Sequence, residues 1–207
     1  MSVKDGCECD PGYQGQIVAT TSDPGWEGSC LPVQCPFGSE GKGIPFGCSC
    51  MAGRNGSITP LRGEPWSTGE CRAVSCPQGS SGKDLPNGCV CDKGTNGTLI
   101  ATKDPSRGFF SGECHPVACP KFSVNSDKDT GCRCAPGYTG SVKAVVGSPF
   151  FVSTCSQAGC PSDSFGLSVI EGCICNPGFT GTITPNISRS GFSGSCFGVA
   201  CPEVSRY

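Results

Sequence analysis

The chain has 207 residues, 20 of them cysteine, and a net charge of −2. Leu, Ile, Val and Phe together make 38 of the 207, too few for a conventional oily interior. Cysteine near a tenth of the chain instead points to a covalently stapled, loop-rich scaffold from an oxidising compartment. The near-neutral balance, without any Lys/Arg run, excludes tracking of a phosphate backbone, and 32 Gly with 18 Pro exclude long helices.

The first element is the phrase "GCECDPGYQGQI" at residues 6–17, and it returns as "GCSCMAGRNGSI", "GCVCDKGTNGTL", "GCRCAPGYTGSV" and "GCICNPGFTGTI". The cysteines fall in five sets, at 7, 9, 30, 35; 48, 50, 71, 76; 89, 91, 114, 119; 132, 134, 155, 160; and 173, 175, 196, 201. Each set reads C-x-C-x20-C-x4-C, with x22 in the third, and twelve residues separate consecutive sets. A period of 41 residues, once 43, signals an array of small units. The expected repeats are 1–46, 47–87, 88–130, 131–171 and a shortened 172–207.

Within each set the elements follow in a fixed order. Gly12, Gly53, Gly94, Gly137 and Gly178 stand three residues after the second cysteine, and Gly15, Gly56, Gly97, Gly140 and Gly181 three later. Glycines at that offset predict a tight turn with positive φ. Ile17, Ile58, Leu99, Val142 and Ile183 then open short alternating stretches that predict strands of four or five residues. Trp26, Trp66, Phe110, Phe151 and Phe192 precede the third cysteine and are expected to cover a disulfide and seal a small core. Pro36, Pro77, Pro120, Pro161 and Pro202 follow every fourth cysteine and should end a strand. Ser39, Ser80, Ser123, Ser164 and Ser205 recur three residues after those prolines, as expected of side-chain-capped turns, with O-glycosylation as the alternative. Set four departs, with Ser153 where the others place Gly and Ala158 where they place Val.

Metal binding and redox chemistry both fit poorly. Zinc sites favour C-x2-C pairs, often with histidines, and reactive dithiols favour C-x-x-C; here the pairs are C-x-C and the single histidine, His115, has no counterpart in the other sets. No metal or cofactor is expected. Residues i and i+2 of an extended segment share a face, so the two thiols of each C-x-C can reach two different partners. Two connectivities then remain within a set. The one favoured is first to third and second to fourth: Cys7–Cys30, Cys9–Cys35, Cys48–Cys71, Cys50–Cys76, Cys89–Cys114, Cys91–Cys119, Cys132–Cys155, Cys134–Cys160, Cys173–Cys196 and Cys175–Cys201.

The C-x-C-x-x-G-[YF]-x-G phrase of "CECDPGYQG", "CRCAPGYTG" and "CICNPGFTG" resembles the C-terminal half of epidermal-growth-factor-like (EGF-like) modules. C-x4-C-x12-C-x-C, read across a set boundary, also resembles that family's second to fifth cysteines. The resemblance spans about half of each unit, and Arg54 and Thr95 replace the aromatic in sets two and three. It implies a rival pairing in which the third cysteine bonds forward, as Cys30–Cys48, stranding Cys7 and Cys196 to join neighbouring segments or molecules head to tail. The family's calcium signature is missing, so Asp10 and Asp92 are read as solvated carboxylates. The array also resembles cysteine-rich repeats of large surface proteins in unicellular eukaryotes.

The fold expected is therefore small, disulfide-rich and mostly β or irregular, as a linear array of five EGF-like-related repeats. Three sequons, Asn55-Gly-Ser, Asn96-Gly-Thr and Asn186-Ile-Ser, predict covalent glycans at Asn55, Asn96 and Asn186. No stretch is long and apolar enough to span a bilayer, "AVVGSPFFV" being the closest approach. Without an apolar leader before Cys7, the chain is expected to be a mature form or a portion of a longer secreted chain. No nucleophile–base pair or phosphate-cradling motif is present, so no enzymatic activity is expected. The function expected is that of an extracellular or cell-surface structural protein, a glycosylated rod or subunit of a fibre, wall or appendage that self-associates end to end or laterally. The alternative is an array of adhesin- or receptor-type modules recognising a protein or carbohydrate.

Overall fold

The structure, a computed structural model, describes residues 3–127 and 131–202. It is built from short antiparallel hairpins with a few single-turn 3-10 helices, and among the described residues every sheet has two strands. Two kinds of hairpin alternate. The first lies between the second and third cysteines of a set. In set one it is a seven-residue pair, Tyr13–Ala19 against Trp26–Pro32. Later sets break it into two shorter ladders, as in Arg54–Gly56 with Cys71–Ala73 followed by Thr59–Pro60 with Ser67–Thr68. In set two the break falls at Ser57 and Ile58, opposite Gly69 and Glu70.

The second kind of hairpin joins one set to the next. Ser39–Glu40 pairs with Ser49–Cys50, Ser80–Gly82 with Cys89–Cys91, Ser123–Asp127 with Gly131–Cys134, and Ser164–Phe165 with Ile174–Cys175. Each begins at the recurring serine, whose hydroxyl donates to the carbonyl of the proline three residues back: Ser39, Ser80, Ser123 and Ser164 reach Pro36, Pro77, Pro120 and Pro161 at 2.5–2.7 Å. These four serines are side-chain-capped turns; Ser205 lies outside the described residues. The hairpins turn through 3-10 segments at Ile44–Phe46 and Leu85–Asn87, where proline presets the first turn. Set three carries Lys128 at the corresponding position, outside the described residues.

Burial is sparse and sulfur-rich. Among the described residues the buried apolar groups are Cys9, Cys71, Cys91, Cys132, Cys134 and Cys196 with Ile44, Leu85, Ala158 and Val169. Bridged cysteines thus outnumber hydrocarbon residues in the interior, six to four, as small stapled units require. The expected aromatic seal is not found. Trp26 is 42% exposed, and Trp66, Phe110, Phe151 and Phe192 are half-buried, because the hairpins are too narrow to enclose a ring. The positions nine residues after the fourth cysteine do that work instead: Ile44, Leu85 and Val169 are 2%, 4% and 2% exposed.

The chain divides into two compact bodies. One comprises Met1–Cys91 with Gly97–Cys114, the other Asp92–Asn96 with His115–Tyr207. Within the second body, Phe122 stacks on Tyr138 at 4.8 Å between ring centroids, with the Lys121 ammonium over the Phe122 ring. Set four keeps its hairpin despite lacking the usual glycine: Ser153 faces Val142 in register, and the Thr154 hydroxyl accepts from the Ser141 N–H at 3.0 Å.

Candidate functional site

Nine disulfides form: Cys9–Cys30, Cys35–Cys48, Cys50–Cys71, Cys76–Cys89, Cys91–Cys114, Cys119–Cys132, Cys134–Cys155, Cys160–Cys173 and Cys175–Cys196. This order corrects every favoured pairing. Cys7–Cys30, Cys48–Cys71, Cys89–Cys114, Cys132–Cys155 and Cys173–Cys196 give way because the third cysteine bonds the second. Cys9–Cys35, Cys50–Cys76, Cys91–Cys119, Cys134–Cys160 and Cys175–Cys201 give way because the fourth cysteine bonds the first of the next set. The forward scheme implied by the EGF-like resemblance also fails: Cys30 bonds backward to Cys9, and Cys35 rather than Cys30 reaches Cys48.

The joining hairpin is the physical reason. It folds the twelve-residue spacer back on itself, so that Ser39 faces Cys50, Ser80 faces Cys91, Ser123 faces Cys134 and Ser164 faces Cys175. That register brings the fourth cysteine beside the next set's first. A glycine six residues after the fourth cysteine makes room. A Cβ on Gly41 would stand 3.1 Å from the Cys35 sulfur and 2.5 Å from the Gly47 carbonyl oxygen, and Gly82 and Gly166 are hemmed in the same way. These glycines and the buried Ile44, Leu85 and Val169 are the signals that sequence reading passed over, all inside the spacer.

A second contact also crosses from set to set. The turn glycine of one set donates its N–H to the hairpin of the following one: Gly12 to Leu61 O at 3.0 Å and Gly53 to Thr102 O at 2.8 Å in the first body, Gly94 to Val145 O at 3.2 Å and Gly137 to Gly191 O at 2.8 Å in the second. The same glycines accept from Val33, Val74, Val117 and Ala158 at 2.9–3.0 Å, so Ala158 keeps the bond despite replacing valine. No room is left at these turns. A Cβ on Gly53 (φ +73°) would lie 2.9 Å from the Leu85 Cβ and 3.0 Å from the Ala101 Cβ, while one on Gly94 would lie 3.0 Å from the Phe151 ring.

Gly178 has the same left-handed φ, +85°, and accepts from Val199, but nothing lies within 4 Å of where its Cβ would be. Among the described residues no carbonyl receives its N–H. At the other extreme, Thr20 occupies the place of Leu61, Thr102 and Val145, eleven residues after the second cysteine, and its carbonyl takes no turn glycine. Cys7 and Cys201 are unpaired, Cys201 being exposed and Cys7 half-buried. Cys7 borders a groove of about 480 Å³ lined also by Glu8, Gly15, Arg62 and Trp66. A comparable groove lies beside Cys132, whose sulfur is bonded to Cys119.

Asn55 and Asn96 sit in the strands Arg54–Gly56 and Thr95–Gly97, and Asn186 follows the strand Thr184–Pro185; all three side chains are exposed. Asp10 lies 3.6 Å from the Arg62 guanidinium, which also reaches Glu8 at 3.6 Å, and such exposed pairs contribute little to stability. Asp104 caps the Pro105–Arg107 turn: its carboxylate accepts from the Ser106 hydroxyl at 2.7 Å and N–H at 2.9 Å, and these bonds hold its pKa below the ordinary 3.8. Among the described residues no cluster of three metal-ligating side chains occurs, and no helix is long and apolar enough to cross a membrane. No protein-family model matches the chain, and neither a curated protein nor a solved structure is significantly similar to it. The chain is a disulfide-rich protein of short antiparallel hairpins, with the bridges of a secreted or extracellular protein.

Proposed function

We propose that the protein is an extracellular structural repeat protein, a glycosylated rod or subunit of a fibre, wall or surface appendage. The reading rests on one observation above all. The same two contacts, a bridge from fourth to first cysteine and a bond from turn glycine to hairpin, recur from one cysteine set to the next. Chains built from such nearest-neighbour contacts extend rather than close. In this reading the five sets are five repeats, and the kinship with EGF-like modules lies in the glycine turn rather than in the order of the bridges. The exposed sequons carry glycans along the flanks, and the chain has no catalytic role. Electron microscopy of the native material tests this: filaments with an axial spacing of whole repeats are expected, and dispersed single chains would overturn it.

A further inference from the structure

Six arginines lie among the described residues, and four of them are held. Arg54 donates to the Cys71 carbonyl and covers the Phe37 ring, Arg62 pairs with Glu8 and Asp10, Arg72 with Glu70, and Arg107 with Asp104. The guanidiniums of Arg133 and Arg189 have no such partner among the described residues. Both line one groove of about 440 Å³ in the second body. We propose that this groove binds an acidic saccharide, whose carboxylate or sulfate group the two guanidiniums hold.

The corresponding groove of the first body shows what has changed. There Glu8 stands between the C-x-C cysteines and Asp10 after them, and each carboxylate lies 3.6 Å from the Arg62 guanidinium of the following hairpin. Set four has Arg133 in the place of Glu8 and Ala135 in the place of Asp10. The other C-x-C pairs enclose Ser49, Val90 and Ile174, so a basic residue stands there only in set four. The exchange removes the internal counter-charge and puts a second cation into the groove. A cleft lined by one sign of charge concentrates ligands of the other.

Both arginines stand on anchored backbone. Arg133 faces Val124 in the strand Gly131–Cys134, between Cys132 and Cys134, which are buried and bridged to Cys119 and Cys155. The Arg189 carbonyl accepts from the Thr139 hydroxyl at 2.8 Å, and the same loop receives the Gly137 N–H at Gly191 O, also at 2.8 Å. Anchoring of this kind lowers the ordering cost of binding. A guanidinium presents a planar fork of donors that matches a carboxylate or a tetrahedral oxyanion such as sulfate. The rest of the lining suits a sugar ring. The Ser141 hydroxyl can meet a ring hydroxyl, and Val142 with the 45% exposed Ile187 can cover a C–H face. The volume falls within the about 300–1,000 Å³ of small-ligand clefts. No aromatic ring among the described residues lines the groove to stack a base.

The full chain, produced without N-glycans because Asn186 adjoins Ile187, is titrated by calorimetry with five probes: a sulfated heparin disaccharide, digalacturonate, maltose, sodium sulfate and a diglutamate peptide. At least one acidic disaccharide is expected to bind more tightly than maltose, sulfate alone and the peptide, and the tighter of the two names the acid group. On binding, the amides of Arg133, Ser141 and Arg189 should shift in NMR spectra of the wild type. Arg133→Gln and Arg189→Gln should each weaken binding about tenfold or more, and Arg133→Glu should abolish it. Arg62→Gln, in the ion-paired groove of the first body, should leave it unchanged. The proposal is overturned if neither acidic sugar binds, if maltose or sulfate alone binds equally well, or if the peptide binds more tightly. Equal loss in Arg62→Gln, or amide shifts confined to other residues, overturns it as well. The site does not require filaments, so dispersed native chains that bind the sugar would sink the structural reading alone.

Discussion

Replacing Leu85 with alanine probes the small hydrocarbon component of the interior. Leu85 is 4% exposed, starts the 3-10 turn Leu85–Asn87, donates its N–H to Val74 O at 2.8 Å and packs against the Gly53 turn. The substitution removes three carbons at about 0.8 kcal/mol each, roughly 2.4 kcal/mol in all. That figure stands near the lower end of the about 2–5 kcal/mol range for such truncations, to which any residual cavity adds. With the bridges intact the loss is local. Amide hydrogen exchange reads it: a change of that size speeds exchange roughly 50-fold at the N–H groups of Gly53, Val74 and Leu85. The bond from Val169 N–H to Ala158 O belongs to the other body and should keep its protection. Equal loss at Val169, or less than about threefold at Gly53, would show that burial at the spacer does not carry the turn and would refute the reasoning.

Gly53→Ala and Gly178→Ala, compared in the C201S background, should separate backbone strain from crowding. Both place alanine at a left-handed φ for about 1–2 kcal/mol, but only Gly53 adds overpacking against Leu85, Pro86 and Ala101, for about 1–3 kcal/mol more. Equal melting shifts would contradict the packed turn. Asp104 should titrate below its ordinary 3.8; because the folded value is the lower one, its capping contribution is complete above the ordinary value and fades as pH falls through the folded value. NMR should show the Ser106 amide shift following that midpoint, and a midpoint at or above 3.8 would remove the cap. Enzymatic deglycosylation of native material should convert Asn55, Asn96 and Asn186 to aspartate by mass, and unmodified peptides at all three would end the glycan expectation. Of two synthetic fragments refolded in air, residues 35–74 should yield one disulfide isomer and residues 47–87 several, since only the first contains both native bridges intact, Cys35–Cys48 and Cys50–Cys71; the opposite result would favour the bridging first expected.

Much of the local structure was legible because it is written as repeated residue types with one physical use each. The glycines at 12, 53, 94, 137 and 178 do take positive φ, and the serines after the prolines do cap turns. The bridges were not legible in the same way. Spacing within a set says how far apart two cysteines lie along the chain, whereas the hairpin that joins Cys35 to Cys48 depends on Gly41 accepting a sulfur against its face and on Ile44 being buried. Both signals sit in the spacer, outside the cysteine sets themselves. In set three the spacer has Asn125 and Lys128 at those two places, yet Asn125 still faces Cys132 and Cys119 still bonds it.

The bridges and the turn contacts share a direction, and that has a consequence for what counts as one unit. Each of the first four sets sends its fourth cysteine and its turn glycine forward, to the next set's first cysteine and hairpin. A cut at any cysteine-set boundary therefore severs two contacts at once, leaving a thiol and an N–H on one side and a thiol and a carbonyl on the other. The division between the two compact bodies follows the same logic: the Asp92–Asn96 turn parts from the hairpin Ile100–Ala101 with Phe110–Ser111 that follows it in sequence and groups with the Val142–Ala144 and Phe151–Ser153 hairpin it bonds to.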